Sequence, residues 1–80
     1  MNLGKKVANS KELAQILGVS VATVNYYTNL GLFVIASRKG NARLYDVDEI
    51  KNIHEKIQSL RNEGYSLRLI QQKLEKGYSI

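Results

Sequence analysis

Two stretches of this 80-residue sequence carry side chains with the chemistry to meet a polyanion. The first is S-R-K-G-N-A-R-L-Y-D, residues 37–46, where Arg38, Lys39 and Arg43 flank a Gly40-Asn41 turn and Tyr45 follows two residues later. Each cation can neutralise a phosphate or enter a minor groove, the sequence-independent part of nucleic-acid binding. The second is S-V-A-T-V-N-Y-Y-T-N, residues 20–29. There Asn25 can pair with adenine, Thr23 can touch a base or a thymine methyl, and Tyr26 can donate to a phosphate. A plain alternative stands beside both: charged turns keep proteins soluble, and polar helical faces are simply wet. Tyr45 has two readings of its own, a ring packed beneath the turn or a hydroxyl that reaches a backbone. The Tyr26-Tyr27 pair fits half core and half surface better than a stacking platform for single strands.

Other chemistry is poorly supported. His54 stands next to Glu55 within an apolar-striped helix, with no nucleophile–base arrangement around it, so no enzyme is expected. Asp46, Asp48 and Glu49 outline a metal cluster, but their place at a helix start is explained by capping and the helix dipole. With no cysteine and one histidine, a structural zinc site of the usual kind is excluded, and no cofactor is expected. No apolar run approaches the roughly 20 residues that span a bilayer, and M-N-L-G-K-K-V-A-N-S lacks the apolar stretch of a signal peptide. The expected location is the cytoplasm, on the nucleoid, with no membrane partner.

Charge placement supports the polyanion. Residues 1–45 hold six basic side chains against Glu12 alone, whereas residues 46–80 hold six of each sign, so the first half carries the whole net charge of +5.

The elements that must position these residues can be read from capping and periodicity. Asn9 and Glu12 have the spacing of a capping box, Leu13, Ala14, Ile16 and Leu17 form an inward stripe, and Gly18 supplies a left-handed stop. Ser20 then caps a second helix with Val21, Val24, Tyr27 and Leu30 as its buried stripe and Gly31 as its end. Two short helices joined by Gly18-Val19-Ser20 must cross steeply, as in a helix-turn-helix; a plain helical hairpin usually has longer helices. Phe33-Val34-Ile35 is β-prone, Gly40-Asn41 can take positive φ angles, and Arg43-Leu44-Tyr45 can return as a second strand. Asp46 and Glu49 make another capping box before a stripe of Val47, Ile50, Ile53, Ile57 and Leu60 that ends at Gly64. A last helix starts at Ser66, faces Leu67, Ile70 and Leu74 inward, and stops at Gly77. The expected fold is mainly α: one winged helix-turn-helix domain over residues 1–80, with four short helices and a two-stranded β-hairpin wing between helices 2 and 3. The helix-turn-helix covers about 9–30, the wing about 32–45, and the last two helices about 46–76.

The segments S-K-E-L-A-Q-I-L-G-V-S-V-A-T-V-N-Y-Y-T-N-L-G-L-F, R-L-Y-D-V-D-E-I and L-R-N-E-G-Y-S-L-R-L-I-Q-Q-K-L resemble the DNA-binding domain of the MerR family of bacterial transcription regulators. The resemblance covers about residues 9–75 and implies a winged helix on double-stranded promoter DNA, with RNA polymerase as a further partner. It places Ser20, Thr23, Asn25 and Tyr26 in the major groove, and Arg38, Lys39, Asn41, Arg43 and Tyr45 in the wing. Three positions depart from the family pattern. Asn25 replaces a usual Arg, Thr28 a usual Glu, and Val34-Ile35 a proline-containing approach to the wing, the last implying a more regular strand. The family's long dimerisation helix and effector-binding region have no counterpart here, so neither ligand sensing nor dimerisation is carried over. Two other jobs fit the same residues. One is an excisionase-like architectural factor that bends DNA; the other is a protein-docking module built on the charge-balanced second half. Within the wing, Arg43 is expected to matter more than Lys39, because the R-L-Y frame holds it closer to the body.

Overall fold

The computed structural model of the chain describes residues 6–75. In chain order the elements are β1 (Val7–Ala8), α1 (Ser10–Leu17), α2 (Val21–Asn29), β2 (Ser37–Lys39), β3 (Ala42–Asp46), α3 (Val47–Asn62) and α4 (Leu67–Glu75). The fold is the winged helix-turn-helix that the periodicity implies. The expected end of the last helix at Gly77 lies outside the described residues.

Local chemistry sets the helix ends. Asn9 Oδ1 accepts from the Glu12 amide at 2.8 Å, and Glu12 Oε1 accepts from the Asn9 amide at 3.0 Å, which closes the capping box of α1. Gly18 takes φ 72°, a left-handed conformation that costs glycine no Cβ clash, so α1 can end and the chain can turn within three residues. Ser20 Oγ accepts from the Thr23 amide at 3.0 Å and starts α2. Asp46 does the same for α3 by accepting from the Glu49 amide at 3.2 Å.

Two stripe residues face outward. Ile16 is 49 % exposed and Val21 is 39 % exposed. The buried side of α1 is centred on Leu13, Ala14 and Leu17, and Ile16 falls beside it. The buried side of α2 is centred on Val24 and Tyr27, and Val21, in the first turn, lies at its edge. The stripes of α3 and α4 pack as expected: Ile50, Ile57, Leu60 and Ile70 are fully buried, with Ile53, Leu67 and Leu74 against them.

The wing also differs in extent. Phe33-Val34-Ile35 is not a strand. The Leu32 and Phe33 amides both donate to the Tyr27 carbonyl, and the Gly31 amide donates to that of Thr28. Those groups cap α2, so they are unavailable to a ladder. Phe33 instead drops into the core, edge-on to Tyr27 at 5.2 Å between ring centroids. Pairing begins at Ala36, whose amide donates to the Leu44 carbonyl, and continues through Ser37↔Leu44, Arg38↔Arg43 and Lys39↔Ala42. The Gly40-Asn41 turn has a positive φ at Gly40 only, the sign pattern of a type II′ hairpin turn. The sheet has a third strand that the sequence reading lacks: β1 pairs antiparallel with β3 through Ala8↔Tyr45, making β3 the central strand.

β3 is fastened to α2 by one buried side chain. Tyr45 is 0 % exposed, and its hydroxyl lies 2.7 Å from Thr28 Oγ1. Thr28 donates its single hydroxyl hydrogen to the Val24 carbonyl at 2.8 Å, so in this pair Tyr45 is the donor and Thr28 the acceptor. Tyr45→Phe removes one hydrogen bond and leaves no buried polar atom without a partner, a loss of about 1 kcal/mol or roughly 4–8 °C in Tm. Thr28→Val strands the buried Tyr45 hydroxyl and costs more, about 1–3 kcal/mol. The double variant should lose less than the sum of the two singles in thermal denaturation.

Candidate nucleic-acid interface

The expected interface residues come from two neighbouring elements. From α2, Asn25 and Tyr26 are exposed, Tyr26 by 51 %, and the Asn25 side chain forms no hydrogen bond among the described residues. Ser20 and Thr23 stand at the start of the same helix, where their hydroxyls lie 2.9 Å apart and serve the cap. From the wing, Arg38, Lys39 and Asn41 are exposed and Arg43 is half-buried. A shallow groove brings the two elements together, lined by Asn9 and Lys11 at the start of α1, Val21 and Asn25 of α2, and Asn41, Ala42 and Arg43 of the wing. Ser20, Thr23, Tyr26, Arg38 and Lys39 lie outside its lining, and Tyr45 is fully buried, the core side of its two readings, supporting the wing from beneath.

Strand alternation sorts the wing cations. Residues two apart on a strand share a face, so Arg43 lies on the side of β3 that carries Tyr45 and meets the helices. Arg38 pairs directly with Arg43 and shares that side, while Lys39, opposite Ala42, points the other way. Among the described residues none of the three cations has a carboxylate partner. Two arginines set directly opposite each other repel, at a cost of up to ~1 kcal/mol. Such a pair is easily explained where an external anion relieves it.

Val21, Lys11, Asn9, Ser10 and Ala42 are the groove residues that sequence reasoning missed. The spacing of Val21 from Val24 and Tyr27 continues an apolar stripe and so points it inward. Lys11 carries no local signal; only the packing of α1 against α2 puts it on this rim.

The other candidates assemble no site. Among the described residues no group of three or more His, Cys, Asp or Glu side chains is placed to hold a metal ion. His54 turns its ring edge toward Phe33, 6.3 Å between centroids, and its Nε2 lies 3.2 Å from Gln58 Nε2. Partial burial lowers its pKa below the ordinary 6.5, against a smaller opposing pull from the Glu55 carboxylate. No helix among the described residues is long and apolar enough to cross a membrane.

Comparison with known proteins bears on the same residues. The family described as MerR HTH family regulatory protein matches residues 9–77. Nodulation protein NolA of Bradyrhizobium elkanii is 37 % identical over 65 residues, covering 80 % of this chain and 29 % of that protein. The HTH-type transcriptional regulator CueR of Bacillus subtilis is 42 % identical over 50 residues, covering 62 % of this chain and 35 % of that protein. The chain thus spans less than a third of the length of the NolA relatives it matches. No solved structure gives a significant match.

His54 generates a pH prediction. A folded-state pKa below the unfolded value of 6.5 means that the unfolded chain binds the proton first as pH falls. The contribution is complete above pH 6.5 and is lost as pH drops through the folded pKa. Melting curves between pH 7.5 and 5 should show Tm falling with acidification, and His54→Gln should flatten that dependence.

Proposed function

The chain belongs to the MerR HTH regulatory family, and from that premise we propose that it is the double-stranded-DNA-binding domain of a transcription regulator, with α2 in the major groove and the wing on the flanking backbone or minor groove. The observation that carries this reading is the groove shared by α2 and the wing. It sets an uncharged polar helix face beside cations that have no carboxylate partner among the described residues. Base edges are read by short polar and apolar groups at the N-terminal part of a recognition helix, and phosphates are held by cations at its side. The three-residue turn Gly18-Val19-Ser20 joins α2 to α1, and the Tyr45–Thr28 bond ties the wing to α2. The name of one relative supports the same reading, CueR being described as an HTH-type transcriptional regulator. RNA polymerase at a distorted promoter is the second partner in this reading.

The test is an anisotropy titration of the chain against duplexes recovered from a random pool, repeated across salt. Affinity should fall steeply with salt, by about 0.9 in log–log slope for each phosphate neutralised. Replacing Arg38, Lys39 and Arg43 together by Ala should reduce that slope by about 2–3. Among single variants Arg43→Ala should weaken binding more than Lys39→Ala, because Arg43 lines the groove and Lys39 does not; equal effects would refute that ranking. Failure to bind any duplex at low ionic strength would overturn the proposal itself.

A further inference from the structure

Val21 has no role in the core, in a cap or in the wing, yet it is an exposed branched aliphatic lining the groove. It begins a stripe of exposed residues, Val21, Asn25 and Asn29, spaced four apart along one side of α2, with Ala22 and Tyr26 beside it. Major-groove chemistry is selective about which side chain reads which base. Guanine O6 and N7 call for Arg or Lys, and cytosine N4 for Asp or Glu. Adenine N6 and N7 suit Asn or Gln, and the thymine methyl suits an apolar group. None of the nine residues of α2 is Lys, Arg, Asp or Glu. The helix therefore lacks the side chains that read a G·C pair best and presents both kinds that read A·T.

The cap narrows the choice of thymine contact. Thr23 is half-buried, and its hydroxyl is paired with that of Ser20. Of the methyl-bearing side chains in the first turn, the part of a recognition helix that reaches base edges, Val21 is more open than Thr23 and, unlike Ala22, lines the groove. Residues one turn apart have Cβ atoms about 5–6 Å from each other, and stacked bases rise about 3.4 Å. Val21 and Asn25 can thus meet the same base-pair step or the next. We infer that the exposed face of α2 reads A·T pairs, with Val21 against a thymine methyl and Asn25 against a neighbouring adenine. This rests on the DNA-binding reading above and gives it a target chemistry.

The experiment uses the duplex recovered by selection and replaces each thymine in turn by deoxyuridine, which removes the C5 methyl alone. One or two positions in the stretch facing α2 should each weaken binding about three- to five-fold, the worth of one buried methyl. In Val21→Ala the duplex with the methyl and the duplex without it should bind equally, with the wild-type helical circular dichroism retained. Asn25→Ala should lose about tenfold or more of the discrimination against replacing the neighbouring A·T pair by G·C. A deoxyuridine scan that is flat, or that Val21→Ala leaves unchanged, overturns the inference while duplex binding itself persists. Invariant G·C pairs throughout the stretch facing α2 overturn it as well. Absence of binding to any duplex is the separate failure of the DNA-binding reading, and the inference falls with it.

Discussion

The hydrogen bond from Tyr45 to Thr28 joins the two parts of the molecule that must act together. A three-residue strand on a hairpin turn cannot hold its own position in water. Here the central strand sends one large ring fully into the core, and the hydroxyl at its tip ends on the side chain of α2. That buried donor finds its acceptor only when strand and helix have one relative placement, so the contact acts as a gauge as well as an anchor. Thr28 can serve because its own hydrogen is spent on the Val24 carbonyl, which leaves its oxygen free to accept. The Thr that departs from the family's usual Glu therefore has a defined job in this chain.

Around that gauge the other contacts hold α2 from its opposite end and side. Arg61 of α3 donates to the Tyr27 hydroxyl at 3.4 Å, Gln71 of α4 donates to the Leu30 carbonyl, and Phe33 packs edge-on against Tyr27. The second half of the chain thus fixes the helix without touching its outward face. This arrangement divides the labour in the proposed interface. The cations lie in the wing and at the start of α1, where backbone phosphates would pass, and α2 is left uncharged for bases. A charged helix face would be attracted to any duplex; an uncharged one contributes mainly where the bases match.

The capping box of α1, the N-caps Ser20 and Asp46, the stops at Gly18, Gly31 and Gly64 and the stripes of α3 and α4 were legible in the sequence because each depends on residues within one or two helical turns. The positions that misled it share a different cause. Val21 and Ile16 fit an apolar spacing in helices of eight and nine residues, too short for periodicity to define the centre of the buried face. Phe33-Val34-Ile35 has strand-forming residues, but its first amide, that of Phe33, is already claimed by the end of α2. Strand β1, at two residues, is shorter than any pattern that could announce it.

Of the interface, the sequence by itself determined the inventory: three cations on a tight turn, a helix without charges, and the caps that start and stop each element. It also determined the family. Only the tertiary structure decided which of those groups share a groove, that Val21 and Lys11 join them, and that Tyr45 lies beneath instead of among them. The physical reason is the range of the forces involved. Caps and turns are settled by hydrogen bonds between near neighbours in the chain, whereas the face a side chain presents depends on which distant element packs against it.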